Sequence, residues 1–75
     1  MAYFGKNEWL VKIRKEKNIS QGLLAAECGC SQAMYSRIEL GFSDPSEELA
    51  QKIADYLGFP VERFREEKAK REASA

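Results

Sequence analysis

Gln32 and Arg37 carry side chains suited to gripping flat, hydrogen-bonding surfaces. A glutamine amide holds a donor and an acceptor in one plane, which matches the N6–N7 edge of adenine. An arginine guanidinium can fork onto a guanine edge or clamp a phosphate. On a helix of about 3.6 residues per turn, five residues of separation put the two about 140° apart, flanking one broad face. Ala33 can offer only a methyl contact, for instance to thymine, and Met34 and Ser36 are lesser candidates at a groove edge. Other chemistry is poorly provided for. The chain has no histidine, and its two cysteines, Cys28 and Cys30, are one residue apart. A closed zinc site takes four ligands, so no metal is expected, and the thiols are read as small buried hydrophobes. No close carboxylate pair stands in an evident pocket, and no cofactor or catalysis is expected.

Such a face needs a short, well-anchored helix, and the surrounding residues supply one. Ser20 and Ser31 are placed to cap two helices, their hydroxyls accepting from first-turn N–H groups. Leu24, Ala25 and Cys28 fall on one face of the first. Gly29 follows at the position where a left-handed cap is cheapest without a Cβ. Cys30 points a small apolar group back under the turn. In the second helix, Met34 or Tyr35 and Ile38 face inward. Residues 20–39 therefore read as a helix-turn-helix.

The remaining chain can brace this pair. Asn7 is a plausible cap for a first helix over about Glu8–Lys17, with Trp9, Leu10 and Ile13 on its apolar face. Asn18 is a stop, and Ile19 a core residue in the link. After Gly41, either Asp44, followed by Pro45 at the first helical position, or Ser46 can cap a fourth helix. Leu49, Ile53, Tyr56 and Leu57 give that helix its apolar spacing, and Gly58 ends it. Phe59 packs near the junction, and Pro60 opens a last helix from about Val61, with Val61 and Phe64 its apolar pair. Residues 1–6 read as an N-terminal tail with Tyr3 and Phe4, 7–66 as the folded domain, and 67–75 as a charged C-terminal tail. Favourable i, i+4 pairs in that tail are Glu66–Lys70 and Glu67–Arg71.

Composition bounds the reading. At 44% hydrophobic and 32% charged, 75 residues form at most one small globular domain. Residues 1–6 lack a signal-peptide core, and no apolar run approaches the roughly 20 residues of a membrane helix. A cytoplasmic protein without membrane contact is expected. Twelve basic residues balance twelve acidic ones, so non-specific nucleic-acid affinity should be weak.

The run from Ile13-Arg14 through Ser20-Gln21, Leu24-Ala25, Gly29, Ser31, Ser36-Arg37-Ile38-Glu39, Gly41 and Pro45 to Ile53-Ala54, Leu57-Gly58 and Phe64 resembles the Cro/C1-type (XRE) family of phage repressors and bacterial regulators. The resemblance covers roughly residues 9–65. It implies an all-α fold: a compact five-helix, lambda-repressor-like DNA-binding domain. It also implies a pair between Arg14 and Glu39 that ties the first helix to the third, Arg14 as a DNA phosphate contact being the alternative, and a brace between Gln21 and Gln32. The implied function is sequence-specific duplex DNA binding by a small transcription regulator, a repressor rather than an activator. Helix 32–39 would lie in the major groove of a two-fold site bound by a homodimer. Gln21, Ser31, Gln32, Ala33, Met34, Ser36, Arg37 and Ser43 are the candidate DNA contacts, with the Gln21 backbone N–H aimed at a phosphate. The chain departs from the family at Gly22, commonly a polar helix former, at Leu40, often asparagine, and at Phe42-Ser43-Asp44, often a basic loop. Leu40 and Phe42 suit a protein contact. The rival reading is therefore a protein-interaction module of the same fold that antagonises or partners a related regulator.

Overall fold

A computed structural model describes residues 7–74. Five helices follow one another: α1 (Glu8–Glu16), α2 (Gln21–Cys28), α3 (Gln32–Leu40), α4 (Glu47–Leu57) and α5 (Glu62–Ser74). No strand occurs among the described residues. The expectations for Tyr3 and Phe4 lie outside them. Within them no helix is long and apolar enough to cross a membrane.

Serines begin three of the helices. Ser20, Ser31 and Ser46 are extended, and their Oγ atoms accept from Leu23 N–H (3.1 Å), Met34 N–H (3.0 Å) and Leu49 N–H (3.1 Å). Each satisfies one orphan donor of a first turn. Ser46, not Asp44, thus caps α4, and Pro45 stays in the link before it. The Asp44 carboxylate is engaged elsewhere, 2.8 Å from Lys68 Nζ on α5.

Helix ends follow a second rule. Gly29, with φ 78°, closes α2, and the N–H of Cys30 reaches back to Ala25 O at 3.0 Å. The tight turn before α3 depends on that left-handed residue. Asn18 does the same work after α1 at φ 56°, a region asparagine tolerates better than other residues with a Cβ.

Helices α1–α4 bury one core: Leu10, Leu24, Ala25, Cys28, Tyr35, Ile38, Ile53 and Leu57. On α3 it is Tyr35, not Met34, that turns inward with Ile38. On α4, Ala50 and Ala54 are buried beside Ile53 and Leu57, while Tyr56, expected inside, is exposed. Tyr56 is six residues from Ala50, roughly 120° round the helix. Cys28 is buried and Cys30 half-buried. Burial pushes both thiols up, so they remain protonated at neutral pH.

The start of α5 is held by aromatic rings. Trp9 meets Phe59 (5.2 Å) and Phe64 (5.3 Å) edge-on, and the Arg63 guanidinium lies 4.9 Å above the indole. Farther along α5, Glu67 meets Arg63 at 2.9 Å and Lys70 at 3.5 Å.

Candidate nucleic-acid interface

Two clasps fix α3 to α1. The first is ionic. Arg14 Nε donates to Glu39 Oε2 at 2.6 Å and its second amino group to Oε1 at 3.2 Å. The third arm of the fork reaches Ile19 O at 2.9 Å, tying in the link to α2. Both partners are nearly dry, Arg14 at 8% exposed and Glu39 at 2%. The second clasp is Asn7. It was expected to cap α1, yet its side chain makes no cap bond. Instead its Nδ2 donates to Ile38 O (2.7 Å) and its backbone N–H to Glu39 O (2.9 Å). Those are carbonyls at the α3 C-terminus, where the helix's own donors run out; Ile38 O also accepts from Gly41 N–H at 3.2 Å. The end of α3 is a better-paid use of the amide than the first turn of α1.

Gln21 joins the same network. Its Nε2 donates to Glu39 Oε1 at 2.7 Å. The expected brace between Gln21 and Gln32 is absent among the described residues: Glu39, charged and already fixed by Arg14, is the stronger acceptor. Tyr35 lies beside the pair, fully buried, and its hydroxyl has no hydrogen-bond partner among the described residues. Burial pushes its phenol far up, so it stays neutral.

Burial alone would push the Glu39 carboxyl up, but hydrogen bonds from Arg14 and Gln21 outweigh it and hold the group below its usual 4.5. A carboxylate depressed in the folded state stabilises the fold above its unfolded pKa. That stability is lost as pH falls through the folded value. Urea midpoints should therefore be level from pH 7 to about 5 and fall steadily below about 4.5. Glu39→Gln should start from a lower midpoint at pH 7 and show a flatter acid limb; an unchanged acid limb would count against Glu39 as its source.

With its end clasped, α3 presents its beginning to solvent. Gln32, Ala33, Met34 and Arg37 are exposed, and Ser36 is half-buried. Ala33 and Arg37, four apart, share a row, and Gln32 and Ser36 form the row beside it. Ser31 is exposed at the cap, its oxygen used by Met34 N–H. Gln21 is half-buried at the start of α2, and Ser43 half-buried in the loop after α3. One contact between α2 and α3 went unforeseen: the Gln32 side chain lies over Gly22. The signal in the sequence is a glycine inside a helix, which costs up to about 1 kcal/mol and is tolerated where a neighbour comes close. Asn7 carried no such signal, because its partners are 31 and 32 residues away.

Between Ser20 and Leu40 the exposed charges are Glu27 and Arg37 alone. The loop beyond adds Phe42, 79% exposed, next to Leu40, 42% exposed. The face can thus make a few directed hydrogen bonds, but has little long-range attraction for polyanions.

Two capped helices joined by a left-handed glycine, the second clasped at its end and open along its outer face, define a helix-turn-helix domain. A helix-turn-helix family model matches residues 10–64. The uncharacterised HTH-type transcriptional regulator YqaF of Bacillus subtilis (strain 168) is 38% identical over 52 residues, which is 69% of this chain and 68% of that protein. The chain belongs to the Cro/C1-type (XRE) helix-turn-helix family of DNA-binding transcription regulators.

Proposed function

We propose that this protein regulates transcription by binding a specific duplex DNA sequence, with α3 in the major groove, and that it acts as a repressor. One observation carries the reading. The residues that α3 exposes at its first turn and outer face are base-reading types, while the residues that fix its far end are buried and fully committed. A helix held so firmly and left open on one face is built to be inserted. Gln32 addresses an adenine edge, Arg37 a guanine or a phosphate, and Ala33 a thymine methyl. The first-turn N–H of Gln21 and the Ser43 hydroxyl address phosphates. Occupying a promoter needs no further contacts, which favours repression. A homodimer on a two-fold site, with half-sites roughly 34–36 Å apart, gives the length of sequence that one short helix cannot read. Such a regulator works in the cytoplasm.

Selection of bound duplexes from a random pool tests this. The expected result is an enriched, two-fold symmetric motif whose binding weakens only gently with salt, because few phosphates are engaged. No enrichment at low salt by the folded protein would end the reading for the protein acting alone.

A second reading has one observation in its favour, the exposed Leu40–Phe42 pair beside a loop without basic residues. On that reading the protein binds a related regulator and not DNA. Phe42→Ser would then abolish partner binding, while Arg37→Ala would leave it intact.

A further inference from the structure

Gly22 stands where a helix has no conformational need of glycine. It is the second residue of α2, and it is not among the residues with positive φ. Its use is spatial. A Cβ placed there would lie 3.3 Å from Gln32 Oε1 and 3.8 Å from Gln32 Cδ, with no other contact within 4 Å. A Cβ at position 22 would therefore press on the Gln32 amide, which would have to give by a few tenths of an ångström.

Nothing else holds that amide. The Gln21 side chain, the natural brace, is given to Glu39, and Gln32 makes no side-chain hydrogen bond among the described residues. The oxygen, closer to Gly22 than the amide carbon, faces the first turn of α2. The positive end of that helix favours an oxygen there. The amide nitrogen lies more than 4 Å from where that Cβ would be.

The geometry points to Gly22 as a specificity-determining, positioning residue: its missing side chain gives Gln32 a seat against α2 and so sets how the amide meets a base. The inference rests on α3 being the groove helix, and its test separates the two ideas. Gly22→Ala is compatible with the helical backbone and removes a poor helix former, so the variant should fold at least as well as the parent.

In the free protein, NMR should show contacts between the Gly22 α-protons and the Gln32 side-chain amide. In Gly22→Ala the Gln32 amide signals should move more than those of Gln51 on α4. Absence of that contact in the parent overturns the seat, whatever the protein binds. On the selected duplex, Gly22→Ala, Gln32→Ala and the double variant are titrated against all four base pairs at the position where Gln32→Ala alters preference. Gly22→Ala should shift that preference by about fivefold or more when Gln32 is present and by less than about twofold when it is absent. An equal shift in both backgrounds overturns the inference. Should no duplex bind, the regulator reading fails, and the NMR contact alone decides for or against the seat.

Discussion

Replacing Arg14 with alanine should remove a quarter or more of the protein's stability. The guanidinium makes two bonds to Glu39 and one to Ile19 O. Its removal leaves a carboxylate, 2% exposed, with Gln21 as its remaining side-chain donor. Stranding one partner of a buried pair costs about 3–5 kcal/mol. A 75-residue chain has in all about 4–11 kcal/mol to lose, at roughly 0.05–0.15 kcal/mol per residue. Urea titrations followed by circular dichroism should show a midpoint lowered by about a quarter or more. The double variant Arg14→Met/Glu39→Met should recover most of the loss, because the pair's attraction largely offsets its own desolvation. A loss under about 1 kcal/mol in Arg14→Ala would mean that the pair does not hold α3 in place.

The second large effect concerns binding without folding. Arg37 is exposed in the last turn of α3 and takes no part in the clasps. Arg37→Ala should therefore leave thermal stability within about 0.5 kcal/mol of the parent. A base contact of the forked kind discriminates by about 1–3 kcal/mol, so affinity for the selected duplex should drop about 5- to 150-fold. Gln32→Ala should produce a loss of similar order at a different base pair, since the two side chains leave α3 on opposite flanks of the exposed face. Competition titrations with singly substituted duplexes would separate the two. Should Arg37→Ala weaken all duplexes alike and flatten the salt dependence, Arg37 clamps a phosphate and reads no base.

Local rules made most of the helix-turn-helix legible. Ser20 and Ser31 cap what they were expected to cap, because a serine hydroxyl reaches only its own first turn. Gly29 turns the chain as its place after Cys28 implies. The Arg14–Glu39 pair came from the family resemblance; spacing alone carries no hint of a contact across 25 residues. What escaped was long-range competition for polar groups. Asn7 had a cap within reach and took the end of α3 instead. Asp44 could have started α4, but lies against Lys68 on α5, and Ser46 took the cap. Gln21 had Gln32 as its expected partner, yet a fixed carboxylate competes better than an amide. Each choice depends on which groups the fold brings near, and that is settled only when the helices have packed.

The exposed face of α3 as the surface that meets DNA is best tested by following the backbone amides of the isotopically labelled protein as the selected duplex is added. The account predicts the largest shifts at Gln21, from Ser31 to Arg37 and at Ser43, with little change on the outer faces of α4 and α5. Shifts centred on Leu40 and Phe42, with the first turn of α3 unmoved, would contradict it.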